Sequence, residues 1–192
     1  MNTPDPGTAG ADRPPDDPLG HDGERTMRRH LPGRFRWDDD ALTGMMRPGL
    51  SAGLARFIEA RPFFFIATAS AAGHCDASFR GHEHDAAGEP LPALRVLDPS
   101  RLVFPDFSGN GLYNSLGNIV SNPQIGMLFV DFERRRRARV NGRAAVVAAD
   151  PEIRAIWPLA QAAVLVNVEQ AFGNCPARIP RLVPAAGGDR GG

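Results

Sequence analysis

Ser78 and Arg80, with a group of amides and hydroxyls further along the chain, are the residues whose spacing suggests chemistry. In Cys75 to Arg80, strand alternation puts Cys75, Ala77 and Phe79 on one side and Asp76, Ser78 and Arg80 on the other. Ser78 and Arg80 therefore share a face, and Gly81 follows, where a backbone can approach a ligand closely. A guanidinium beside a hydroxyl suits a phosphate dianion, because the fork of N–H donors makes paired, charge-assisted hydrogen bonds. The same arginine would equally serve a surface salt bridge, for instance to Glu83 or Asp85. Asn110, Asn114, Ser115 and Asn118 lie on or before a helical stretch, Asn114 and Asn118 on one face and Ser115 three residues before Asn118. Helix N-terminal amides and the helix dipole favour an anion there. Capping and solvation are the other uses of Asn and Ser at such a position.

Other clusters carry less. Arg134 to Arg137, with Arg139, could contact nucleic acid or a cofactor. The rest of the chain is not basic and no stacking aromatics interleave, so nucleic acid is not expected. The run reads better as a strand turn, after which Arg137 and Arg139 alternate with Ala138 and Val140. His82-Glu83-His84-Asp85, near His74 and Cys75, has metal-ligand residue types but lies in a loop without a fixed scaffold, so no metal is expected. No Ser/His/Asp, Cys/His or paired-carboxylate arrangement stands out, and Asp131 and Glu169 have no evident partners. Every one of the 22 basic residues is arginine. A Schiff-base lysine, a P-loop lysine and a Ser-Lys dyad are therefore excluded. Any phosphate must be held by arginine, backbone amides, hydroxyls or side-chain amides.

The elements that position these residues are short strands and a few helices. Ser51 caps a helix to Ala60 with Leu54, Phe57 and Ile58 on one face, and Pro62 ends it. Phe63 to Ala69 reads as a strand apolar on both faces, turning at Ala71-Ala72-Gly73-His74 into Cys75 to Arg80. A Gly/Pro loop covers 81 to 92. Strands follow at Leu94 to Leu97, Arg101 to Pro105, Gln124 to Phe132, Arg136 to Val147 and Ala162 to Phe172. Asn110 to Val120 is helical until Asn122-Pro123, and Asp150-Pro151-Glu152 starts another helix. This is a mainly β pattern with short helices, a barrel or sandwich. Residues 1–40 are rich in Pro, Gly, Asp and Arg and are expected to form a disordered tail, with Phe35 and Trp37 docking locally. One domain is expected over 41–184 and a loose tail over 185–192. The length of 192 residues and 42% apolar content suit one core, and zero net charge gives no field to draw in nucleic acid or an acidic membrane. No transmembrane run or secretory signal is visible, and two cysteines make no disulfide framework, so a cytoplasmic protein is expected.

The segment RLVFPDFSGNGLYNSLGNIVSNPQIGMLFVDFERRRRARVNGRAAVV, from Arg101 to Val147, is joined upstream by FFFIATASAAGHCDASFRG. Together they resemble the FMN-binding split-barrel proteins related to pyridoxamine 5'-phosphate oxidase, over about residues 50 to 182. The resemblance implies a six-stranded split β-barrel, a homodimer with the flavin at its interface, and FMN as cofactor. It matches the family's phosphate strand to Ser78-Phe79-Arg80-Gly81 and the next flavin contact to the strand Phe104-Pro105-Asp106. It places Arg137 at the pyrimidine edge of the ring. Where the true oxidases carry an Arg-Lys phosphate pair, this chain has Asn114 and Ser115, and their C-terminal Arg-x-His substrate motif has no counterpart. The pattern is similar to that of an uncharacterised bacterial branch. Asn174-Cys175-Pro176 resembles that branch's ending, with Cys175 expected as a buried thiol. The implied activity is a flavin oxidoreductase exchanging hydride between FMN and a small substrate or NAD(P)H. The alternatives are a non-catalytic flavin protein, a binder of the deazaflavin F420 or haem on the same fold, or a barrel with no bound cofactor that serves as an interaction module.

Overall fold

A computed structural model describes residues 21–183, apart from 32, 34–36 and 38. The chain divides into two units, residues 1–46 and 47–192. The first unit contains α1 (Asp22–His30) and α2 (Asp39–Met45). A helix thus stands where the composition suggested only a disordered tail. Its ends account for it. His21 Nδ1 accepts from the Gly23 N–H at 3.1 Å, Asp22 and Glu24 sit in the first turn, and Arg28, Arg29 and His30 sit in the last. Those charges match the helix dipole. No residue of α1 is buried. Trp37 is exposed, whereas residues 1–20, Phe35 and the expected C-terminal tail 185–192 lie outside the described residues.

The second unit begins with α3 (Ala52–Glu59), capped by the Ser51 hydroxyl, which accepts from the Leu54 N–H at 3.2 Å. Ile58 on its inner face is fully buried. Then come β1 (Phe63–Ala69), β2 (Cys75–Gly81), β3 (Arg95–Asp98) and β4 (Arg101–Phe107). Next are α4 (Asn114–Ser121), β5 (Gln124–Asp131), β6 (Arg136–Ala148), α5 (Pro151–Ile156) and β7 (Ala160–Asn174). The seven strands form one antiparallel sheet in the order β2-β1-β5-β6-β7-β4-β3. The expected six-stranded barrel is therefore a seven-stranded one, and no ladder joins the end strands β2 and β3. Local residue patterns marked all seven strands; the count of six came with the resemblance.

Strand alternation decides the inside. In β1, Phe64, Ile66 and Thr68 are buried and Phe65 is exposed, so the strand is not buried on both faces as its composition suggested. The outward rings meet one another instead, Phe63 with Phe79 at 5.2 Å and Phe65 with Phe79 at 5.9 Å between centroids. Inside, Phe64 packs against Phe129 at 5.2 Å and against Phe104 at 5.3 Å. The second of these contacts links β1 to β4, so the sheet curls until its two ends approach. A smaller core lies on the other face of β4, where Val103 meets Trp157, Ala160 and Ala163, and the Trp157 indole N–H donates to Pro92 O at 2.6 Å. The long strands β6 and β7 bend at a bulge between Asn141 and Gly142. A Cβ on Gly142 would collide with the Asn167 carbonyl oxygen, so only glycine fits there. Among the described residues no helix is long and apolar enough to cross a membrane.

Candidate functional site

The two ends of the curled sheet meet through side chains. β2 runs along one edge, and β4 lies one strand in from the other. Across the gap, Arg80 Nη1 donates to Asp106 Oδ1 at 2.7 Å, with the two side chains 18% and 7% exposed. Register explains why they face each other. Arg80 pairs with Phe64, and Asp106 follows Leu102 and Phe104 at strand spacing, so all project into the barrel. Gln161, near the start of β7, donates from Nε2 to the other Asp106 oxygen at 2.9 Å. The Arg80 guanidinium carbon lies 6.0 Å from the Phe104 ring centre, and its Nε is buried without a hydrogen-bond partner.

A cavity of about 300 Å³ opens at this seam, walled by β2, the end of β4, residues 109–113 and the start of α4. Ser78, Arg80, Asp106, Asn110, Asn114 and Ser115 all line it. Their surroundings differ from the sequence expectation. The helix starts at Asn114 rather than Asn110, because Gly111 (φ 75°) and Tyr113 (φ 52°) take left-handed conformations that cannot continue a helix. Asn110 instead shapes the loop, its side-chain oxygen accepting from the Leu112 N–H at 3.0 Å. Tyr113 precedes α4 and offers no side-chain cap, so the first amides of that helix have no capping acceptor. Ser115 is buried, and its hydroxyl donates to Asp76 Oδ2 at 2.8 Å. Asn118 turns to β1 and donates from Nδ2 to the buried Thr68 hydroxyl at 3.1 Å, which pins α4 to the sheet.

Four of the expected site residues do not line the cavity: Asn118, which turns to β1, and three that lie on other faces. The Phe79 side chain is on the outer face with Phe63 and Phe65. Pro105 alternates away from Asp106. Arg137 pairs with Val130 and Asn174, on the sheet face opposite Ser78 and Arg80 by register. The Arg137 Nε and the Asn174 Oδ1, on these directly opposed residues, are both buried without hydrogen-bond partners.

Asp76 and Gln161 also line the cavity, although neither was expected there from sequence. Asp76 shares the alternation of Ser78 and Arg80, and that was the available signal. Gln161 had none, since only the β4–β7 pairing brings it to the site.

Several of the other charges are accounted for locally. Residues 132–135 form the β5–β6 turn, as the arginine run suggested. Arg134 N–H donates to Asp131, Arg135 Nε donates to Ile179 O at 3.0 Å, and Arg136 lies over the Phe57 ring. Asp131 has a partner after all, since Arg61 Nη1 is 2.7 Å from its Oδ2. Burial pushes the Asp131 carboxyl up, but the Arg134 amide and the Arg61 charge outweigh it and hold the pKa below 3.8. Half-buried Asp98 is lowered to about 2 by hydrogen bonds from Ser100 and Arg101. Cys175 is exposed rather than buried, because β7 ends at Asn174 and leaves it beyond the ladder. In the 82–85 segment the His82 and His84 rings touch edge to face, and Asp85 accepts from the Ala87 and Glu89 amides.

Residues 50–186 match the protein family described as pyridoxamine 5'-phosphate oxidase. No curated protein is similar enough to stand as a relative. Among solved structures, HupZ from Group A Streptococcus is 21% identical with a TM-score of 0.50, over 65% of this chain and 93% of that one. An FMN-binding protein from Syntrophomonas wolfei is 8% identical with a TM-score of 0.48, over 63% of this chain and 83% of that one. HutZ, a haem storage protein from Vibrio cholerae, is 16% identical with a TM-score of 0.39, over 64% and 90%.

Proposed function

Because this chain belongs to the pyridoxamine 5'-phosphate oxidase family, we propose that it binds FMN and acts as a flavin-dependent oxidoreductase on a small molecule or NAD(P)H. The observation that carries the reading is the cavity at the seam. Six of the residues singled out for a flavin from sequence line one cleft, although they come from three separate segments.

The donors there fit FMN. Arg80 presents a buried Nε–H without a partner, Asn110 and Asn114 present side-chain amides, and the start of α4 presents uncapped backbone amides. These are the groups a phosphate monoester or a ribityl chain uses. Arg80 would anchor the phosphate end, with Asn114 and the first amides of α4 beside it. Gly109 and Gly111 keep side chains out of the opposite wall. Bound there, FMN would supply hydride chemistry that no protein nucleophile of this chain provides. Arg137 and Asn174 offer a donor and an acceptor side by side, the complement of a flavin's amide-like pyrimidine edge. They face away from the seam of their own chain, so one flavin touching both sets is reasonable only if a second copy supplies one of them. That is the homodimer implied by the resemblance.

The visible spectrum of the purified protein tests this, followed by heat release and chromatography of the ligand. A yellow protein releasing about one FMN per chain is the expected result. A colourless protein that also ignores added FMN would refute it. Bound FMN without NAD(P)H turnover would leave a flavin carrier.

A further inference from the structure

The seam cavity is a poor phosphate site in one respect. Its charged lining is one arginine against two carboxylates, Arg80 against Asp76 and Asp106. Asp106 is 5% exposed, and both its oxygens are engaged, by Arg80 and by Gln161. The Arg80 Nη1 that would meet a phosphate oxygen already has an anionic partner at 2.7 Å. A dianion entering the cleft must share Arg80 with a carboxylate that already engages it, and sits beside that carboxylate in a weakly solvated place. Like charges at that range repel strongly. An uncharged polyol meets no such opposition, since hydroxyls can donate to the carboxylates and accept from Arg80 and the amides.

We propose that Asp106 is the specificity-determining residue of this cleft. By occupying Arg80 it suppresses selection for a phosphate dianion, and the cleft takes neutral, hydroxyl-bearing ligands about as well as phosphorylated ones. This rests on the flavin reading above and names the ligand class that the same site admits besides phosphorylated flavin. The two ideas fail separately in the test that follows.

The ligand-free full chain and Asp106→Asn are titrated with riboflavin and with FMN, followed by flavin fluorescence, and their Tm is read with and without inorganic phosphate. Asn keeps the shape and an acceptor for Gln161 but releases the Arg80 charge. The expected wild-type preference for FMN over riboflavin is less than about tenfold, and Asp106→Asn tightens FMN about tenfold or more with riboflavin changed less than about threefold. A wild-type preference of about a hundredfold, or no tightening in the variant, overturns the proposal. If neither flavin binds either protein, the flavin reading falls, and phosphate decides the remainder. Asp106→Asn must then gain a phosphate-dependent rise in Tm that the wild type lacks, and no gain overturns the role of Asp106. Should Asp106→Asn fail to fold, the wild-type ratio still decides. Asp76→Asn adds a second test, because it removes a carboxylate without releasing Arg80 and is expected to tighten FMN less than the tenfold set for Asp106→Asn.

Discussion

Single side chains in this protein rarely act alone. Arg80 invited two readings from sequence, a phosphate ligand or a salt bridge to a nearby carboxylate. It makes a salt bridge, with a residue 26 positions away, and its buried Nε is left without a partner. Arg80→Ala is expected to weaken FMN binding at least about tenfold, read by fluorescence quenching, because no lysine can replace the lost charge. Unchanged affinity would remove Arg80 from the site. Asp131 carries a different prediction. Its carboxyl is held below 3.8 in the folded chain, so the unfolded chain binds the proton more readily. Its contribution to stability is present above that value and is lost as pH falls through the lower folded pKa. Asp131→Asn should therefore flatten the stability profile below pH 3.8. At neutral pH it should cost on the order of 2 kcal/mol, because Arg61 loses its charged partner. Urea melts across pH 2.5–7 would show this, and an unaltered acid limb would count against it.

Elements were legible where alternation and turn chemistry agree. All seven strands announce themselves by short apolar runs between Gly, Pro and Asn, and their observed bounds lie within two residues of expectation. The helix after β4 was read too long, since Gly111 and Tyr113 adopt left-handed backbone that residue type alone does not dictate for tyrosine. The site was half legible for a related reason. Period-two spacing put Asp76, Ser78 and Arg80 on one face, but only the curl of the sheet puts Asp106 and Gln161 opposite them. The β6–β7 bulge makes the element-scale prediction. Gly142→Ala should lower stability by about 3 kcal/mol, because the Asn167 carbonyl cannot retreat without opening a paired strand. Denaturant unfolding would measure it, and a change under about 0.5 kcal/mol would mean the bulge can relax.

At the scale of the whole molecule, the second unit carries its own core, and residues 47–192 are expected to fold without residues 1–46. A cooperative thermal transition in the shortened chain, at a Tm close to that of the full chain, is the expected result. The outer face of β1 and β2 bears Phe65 at 38% and Phe79 at 59% exposure, with Phe63 beside them. Exposed rings clustered in this way suit a face that a second chain covers. Light scattering should give a dimer, and Phe79→Glu should shift it to monomer with the fold intact. A wild-type monomer would remove the shared-site reading of Arg137. Nothing in local spacing separated that arginine from Arg80; the difference appears only when strand register assigns them to opposite faces.

A closed barrel has no weakest line, whereas this one is fastened along its seam by a button rather than by stitching. Elsewhere neighbouring strands are held by backbone ladders, which separate only when many bonds break together. Between β2 and β4, among the described residues, the fastening is side-chain contact alone, the Arg80 guanidinium on the Asp106 carboxylate and near the Phe104 ring. Amides along the outer edge of β2 should therefore exchange with deuterium through local opening, long before those of β6 and β7, and a ligand seated in the seam should slow them first.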